Sequence, residues 1–207
     1  MAYFPLFLDL AEKTALVVGG GPVAARKARV LLDYGPRIVV CAPHFVPELE
    51  QLSGPELRRC PFSPELLEGV SLAIAATDQR ALNHRIGALC RARSIPVNVA
   101  DSREESTFLF PAVLRRGPLS VGISTGGSSP AAAAWVRRTL EDQLPPSLEP
   151  ILVWLEEQRA IWRDSLPQPG RGDWFTQLFS AALEAGRPLT GEETASLLHQ
   201  FSQEVSP

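Results

Sequence analysis

The sequence has only three cysteines and three histidines in 207 residues, and each scarcity removes a class of function. Cys41, Cys60 and Cys90 are scattered, odd in number and form no C-x-x-C pair. A disulfide framework is therefore not expected, and each reads as a buried free thiol in apolar surroundings. His44, His84 and His199 are as widely spread, and no spacing suggests a protein metal cage. A marked excess of either charge is missing too. With 20 basic and 23 acidic side chains the net charge is −3, unlike a nucleic-acid or membrane-surface protein. No apolar run is long enough to span a bilayer. The opening run Tyr3 to Leu8 has no basic stretch before it and meets Asp9 and Glu12 at once. It is not read as a signal peptide, and a cytoplasmic location is expected. No internal repeat or low-complexity segment occurs.

What is present is an ordinary globular composition, 45% hydrophobic and 21% charged, on a chain able to hold one sizeable core or a larger domain with an appendage. Its most informative stretch runs from Thr14 to Gly35. An apolar run, Thr14 to Val18, ends in Gly19-Gly20-Gly21. A helical pattern follows, with Val23, Ala24, Ala28, Leu31 and Leu32 on one face and Gly35 as its stop. Gly19-x-Gly21-x-x-Ala24 fits the dinucleotide fingerprint in its G-x-G-x-x-A form. Gly19 permits a tight turn, Gly21 lets backbone approach a pyrophosphate, and Ala24 lets the helix lie on the strand. The helix start offers unpaired N–H groups to phosphate. A glycine turn that binds nothing is the bland alternative, and its context between strand and helix favours the dinucleotide.

Residues 3–10 read as a short strand, with Glu12-Lys13 as the turn out of it. Arg37 to Cys41 is a buried parallel strand. An acidic residue commonly ends that strand and holds ribose hydroxyls. Here Cys41-Ala42-Pro43-His44 follows, so backbone and His44 are expected to line the adenosine pocket, or the site is looser than usual. Arg26, Lys27 and Arg37 are candidates to meet an extra phosphate, which leaves NAD and NADP both open. A short helix (46–51), a third strand (57–62) and a helical turn (64–68) are expected next. The strand Leu72 to Asp78 ends in small residues and an acid. Thr77 and Asp78 either face a ligand or cap the next helix, which carries Leu82, Ile86, Leu89 and Cys90. Ile95 to Asp101 is the last strand of the series, with Asp101 facing the ligand crevice. The order is that of a Rossmann-like, doubly wound parallel sheet in an α/β protein.

The pattern then breaks. Phe108 to Leu114 and Leu119 to Ser124 suit a hairpin joined by Arg115-Arg116-Gly117-Pro118. Thr125-Gly126-Gly127-Ser128 precedes a helix capped by Ser129 with Pro130 at its first position, a second candidate anion site. The tail reads as helical: Leu148 to Trp162, a linker at Leu166 to Gly172, the stripe Trp174 to Ala182, and a last helix opened by a Thr190/Glu193 capping box. The expected domains are 1–107 for the nucleotide, 108–147 as a small α+β region of hairpin plus helix for dimerisation and substrate, and 148–207 as a helical C-terminal region.

These residues together carry a resemblance. Phe4 to Leu10, Val18 to Ala24 with Arg26-Lys27, Ala75 to Asp78 with Leu82-Asn83, Val97 to Asp101, and Ser124 to Pro130 resemble the precorrin-2 dehydrogenase and sirohydrochlorin ferrochelatase family, the N-terminal part of sirohaem synthases. The resemblance covers about the first three-quarters of the chain, and residues 148–207 are expected to be a lineage-specific helical extension. It implies NAD-dependent oxidation of precorrin-2 to sirohydrochlorin, with iron insertion in some members, and a homodimer. It places Pro22, Val23, Pro43 and His44 at the NAD site and Asp101 on the catalytic aspartate. Thr125 stands where some relatives carry a modified serine. The implied substrate bears eight carboxylates, for which Arg115, Arg116, Arg137, Arg138 and the Thr125-Gly126-Gly127-Ser128 loop are the local binding groups. Any chelation of ferrous ion would use the macrocycle's own nitrogens. A nucleotide-sensing regulatory module without catalysis is the alternative. A dehydrogenase for an unrelated substrate is disfavoured by the lack of a Tyr-x-x-x-Lys pair.

Overall fold

The computed structural model describes residues 3–100, 102–163 and 170–205, which fall into two compact units that divide between Phe110 and Pro111. In the first unit five parallel strands form one sheet: β1 (Thr14–Val18), β2 (Arg37–Cys41), β3 (Glu56–Arg58), β4 (Val70–Ala75) and β5 (Val97–Val99). Their spatial order is β3-β2-β1-β4-β5. The chain winds outward from β1 through β2 to β3, then returns to the other side of β1 for β4 and β5. That reversal is the topological switch point of a Rossmann-like sheet.

The strands are apolar on both faces because both faces are covered. Ala15, Val17, Ile38, Val40, Leu72 and Ile74 pack with Ala24, Ala28 and Leu31 of helix α1 (Pro22–Leu32). The alternate residues Leu16, Val18, Val39, Ala73 and Val97 pack with Ile86 and Cys90 of α3 (Arg80–Ala92). The period of two along each strand thus divides one run of residues between two cores. A short helix α2 (Pro47–Glu50) and a 3-10 turn (Pro64–Leu67) complete the connections, each supplying one buried leucine, Leu49 and Leu67. The outer edge of β5 is closed by side chains. Thr107 Oγ1 accepts from Val97 N–H at 2.7 Å, and Ser106 Oγ accepts from Val99 N–H at 2.9 Å. These hydroxyls occupy donors that would otherwise stand open at the sheet edge.

In the second unit β6 (Ala112–Arg116) and β7 (Leu119–Ile123) form a hairpin with a two-residue loop, Gly117 taking φ 52° at its first position. The helix α4 (Pro130–Gln143) follows, capped by the Ser129 hydroxyl, which accepts from Ala132 N–H at 3.1 Å. Three helices of 15 residues end the chain: α5 (Leu148–Trp162), α6 (Arg171–Ala185) and α7 (Gly191–Val205). Trp174, Leu178 and Phe201 are their buried centre, with Trp162 edge-on to Trp174 at 5.9 Å.

Several expected boundaries move. Residues 3–10 form no strand: Phe4 and Phe7 are 87% and 72% exposed, and no sheet edge pairs with them. The third strand is only Glu56–Arg58, because Cys60 N–H turns back to Arg58 O at 2.9 Å. The strands expected to run to Asp78 and Asp101 end at Ala75 and Val99. Arg115 and Arg116 lie inside β6 rather than in the turn. Cys60 is half-buried, while Cys41 and Cys90 are buried as expected. The expected linker at 166–172 lies partly outside the described residues, and Arg171 and Gly172 already belong to α6.

The expected capping box on α7 forms, and it is reinforced. Glu193 accepts from Thr190 N–H at 2.8 Å and receives both guanidinium nitrogens of Arg187 at 2.8 and 2.9 Å. Chiefly through Arg187, the Glu193 carboxyl is held at about 2. A depressed carboxyl pKa stabilises the fold above its ordinary value of 4.5, and that contribution is lost as pH falls through about 2. Urea midpoints measured between pH 5 and pH 2 will therefore fall less steeply in Glu193→Gln than in the natural chain.

Candidate functional site

The carboxyl ends of β1, β2, β4 and β5 are tied together by main-chain bonds. Gly19 N–H donates to Cys41 O at 3.0 Å, Val46 N–H to Gly20 O at 2.9 Å, Ala76 N–H to Val18 O at 2.8 Å and Ala100 N–H to Ala75 O at 2.8 Å. The three glycines have three different reasons. Gly19 takes φ 132°, and a Cβ there would lie 2.2 Å from Ala76 O. A Cβ on Gly20 would lie 1.8 Å from His44 O. A Cβ on Gly21 would meet nothing within 4 Å. The first two are dictated by the protein's own packing. The third faces open space at the start of α1, where a ligand's phosphates could approach the backbone.

Helix α1 begins without any acidic residue in its first turn, so its positive end is not neutralised. Pro22 occupies its first position and is exposed, Val23 is half-buried, and Ala24 is buried against the sheet. The open Gly21 face and this helix start fit a dinucleotide pyrophosphate. At the end of β2 the Cys41 thiol is pushed up to about 12, chiefly by burial, so it stays neutral where other sites of this fold place a carboxylate. Pro43 and His44 follow it on the exposed rim.

After β4, Asn83 takes a role that the sequence does not announce. It is 6% exposed and accepts from both Thr77 N–H (3.0 Å) and the Thr77 hydroxyl (2.7 Å), while its amide donates to Thr77 O (2.9 Å). Thr77 and Asp78 are not the helix cap: Gln79 occupies that position in α3. Thr77 is instead held in the loop at the strand end, with Asp78 exposed beside it. Asn98 is a second buried amide, accepting from Lys27 Nζ at 2.7 Å and donating to Phe108 O at 3.1 Å. Asn98 stands out in the sequence as a polar residue in an apolar strand, and both asparagines lie in stretches that carry the family resemblance.

Two candidate phosphate-binding cations are corrected. Lys27 is engaged by Asn98 and lies 4.3 Å from the Phe110 ring centroid. Arg37 opens β2, at the opposite end of the sheet from the glycine loop, and pairs with Glu56 at 2.6 Å. Asp101, expected at the crevice, lies outside the described residues.

In the second unit, the Thr125 hydroxyl accepts from Ser129 N–H at 3.1 Å and donates to Ser129 O at 3.0 Å. Gly126 and Gly127 take φ 64° and 87°, and Gly127 and Ser128 are exposed. Two of the arginines expected to bind carboxylates have structural partners. Arg116 donates to Glu141 O and Leu144 O, both at 2.7 Å, which satisfies carbonyls at the end of α4. Arg137 pairs with Glu141 at 2.6 Å, one turn along the same helix. Arg138 is exposed.

Comparison with known proteins matches residues 6–112 to a family described as putative NAD(P)-binding and residues 116–143 to one described as the central part of sirohaem biosynthesis proteins. A sirohaem synthase of Chromobacterium violaceum is 45% identical over 148 residues, 70% of this chain and 32% of the relative. One of Ectopseudomonas mendocina is 35% identical over 222 aligned residues, 99% of this chain and 47% of the relative. The chain thus spans less than half the length of these relatives. A solved precorrin-2 dehydrogenase, SirC, superposes with a TM-score of 0.70 at 25% identity, covering 97% of this chain and all of that one. Matches of that extent correct the expectation that residues 148–207 are a lineage-specific extension.

The glycine geometry separates two positions fixed by packing from one that faces open space. Gly20→Ala is expected to lower stability by about 1–3 kcal/mol, read from a urea midpoint. Gly21→Ala is expected to leave that midpoint unchanged while NAD affinity, measured by calorimetry, falls at least about tenfold.

Proposed function

The chain belongs to the putative NAD(P)-binding family found in the N-terminal part of sirohaem synthases, and we propose that it oxidises precorrin-2 to sirohydrochlorin. The observation that carries this reading is the end-to-end likeness to a solved precorrin-2 dehydrogenase, including the helical tail. The open Gly21 face at the switch point supports a bound dinucleotide.

The reaction removes a hydride and a proton from a macrocycle carbon framework. Bound NAD supplies the hydride acceptor. The protein holds the pyrophosphate at the start of α1, with Gly19, Gly21, Pro22, Val23, Pro43, His44, Thr77 and Asp78 as the binding set. Small buried side chains at Ala75 and Ala76 keep the end of β4 low beneath it. Asp101 accepts the proton as general base. Thr125, Gly126, Gly127 and Ser128 form the substrate loop. The substrate class is a carboxylated tetrapyrrole, and ferrous ion is a further substrate if the chain also chelates. We place the reaction in the cytoplasm. Residues 1–107 serve the nucleotide, 108–147 dimerisation and substrate, and 148–207 form a helical region. A homodimer is supported by α4, whose Trp135 and Leu140 are 61% and 37% exposed.

Absorbance of sirohydrochlorin formed from precorrin-2 and NAD, with and without ferrous or cobaltous ion, tests the activity. Metal-independent oxidation is expected. Enzyme-dependent insertion would add chelatase activity. No oxidation with NAD or NADP would favour a nucleotide-sensing module. Asp101→Ala should lower kcat by roughly 10²–10⁴-fold and leave NAD affinity unchanged; equal loss of both would make the residue structural. Trp135→Asp is expected to shift the sedimenting species from dimer to monomer.

A further inference from the structure

Helix α5 carries Arg159 near its end and Arg163 just beyond, four residues apart and so on one face. Helix α6 begins at Arg171. Arg159 and Arg163, with Leu155, Phe175 and Phe179, line a cavity of about 640 Å³ formed by the two helices, and Arg171, already engaged within the protein, borders it. That volume falls within the range of small-molecule sites, roughly 300–1,000 Å³. No carboxylate stands among the described lining residues. The contrast within the same unit is clear. Arg137 and Arg187 each meet a glutamate, whereas Arg159 lies over the Phe175 ring at 5.6 Å. One wall is therefore aromatic and apolar, and its rim is cationic.

Such a lining suits a ligand with an apolar, flat body and more than one carboxylate. The body packs on the phenylalanine rings. The carboxylates meet guanidinium forks, which bind them in two-point fashion and remain charged at all accessible pH. We infer that the cavity between α5 and α6 binds a planar polycarboxylate, the class to which the tetrapyrrole of the proposed reaction belongs. That identification rests on the proposed dehydrogenase reading. It gives the helical region a part in holding the macrocycle, a role no other residue described above supplies there.

The test uses the full chain and uroporphyrin III, an octacarboxylate macrocycle, as probe. Hydrogen exchange is expected to slow in peptides covering 155–163 and 170–179 when the porphyrin is added. Arg159→Ala with Arg163→Ala should raise the porphyrin dissociation constant at least about tenfold while NAD affinity stays unchanged. Both side chains are exposed, so the fold should survive, and an unchanged urea midpoint checks that. If the midpoint moves, Arg159→Lys with Arg163→Lys keeps charge and stem but loses the fork, and its affinity should fall severalfold. Unchanged affinity in a folded double variant, or protection confined to the first unit, overturns the inference. Protection at α5 and α6 in a chain that oxidises no precorrin-2 would uphold it and remove the dehydrogenase reading instead.

Discussion

The first unit depends on one close approach of main chain to main chain. At the end of β1 the backbone passes between the carbonyl of Ala76, from the loop after β4, and the carbonyl of His44, from the loop after β2. Neither gap admits a Cβ, so Gly19 and Gly20 are required before any ligand is considered. Their packing draws the ends of neighbouring strands to one place, and the Val46–Gly20 and Ala76–Val18 bonds hold them there. Gly21 is then left facing outward, with no packing requirement of its own.

Around that point the protein spends buried amides rather than charges. Asn83 fixes both backbone groups of Thr77, and Asn98 joins Lys27 of α1 to Phe108 beyond β5. Buried polar groups of this kind are tolerable because the oxygen and the nitrogen of each amide both have a partner. They fix loop positions at a strand end where ordinary capping is absent, since α3 has no side-chain cap. The Cys41 thiol follows the same economy: neutral through burial, it fills the end of β2 without adding charge.

The sheet, its covering helices, the hairpin, the Ser129 cap and the Thr190/Glu193 box were legible because each has a local signature: a period of two or 3.6, a glycine, or a capping residue. What was not legible depends on partners distant in sequence. Residues 3–10 look like a strand, but strand formation needs an edge, and none pairs with them. Arg116 and Lys27 read in the sequence as cations for anions, whereas in the fold α4's last carbonyls and Asn98 engage them. Gly20 looked like the variable position of a fingerprint, and only the loop after β2 shows why it is glycine.

The glycine cradle has a consequence for how this protein can change over time. Its nearest walls are the carbonyls of Ala76 and His44, with the Cβ of Ala42 beside the second. Replacing the side chain of His44 or Ala76 leaves those carbonyls chemically the same, provided the loop keeps its path. The cradle itself therefore constrains the path of the backbone more than the identity of the side chains on the two loops. A superposition at TM-score 0.70 with a quarter of residues shared is what such an inheritance looks like: the shape is passed on through the backbone while the alphabet written on it is largely replaced.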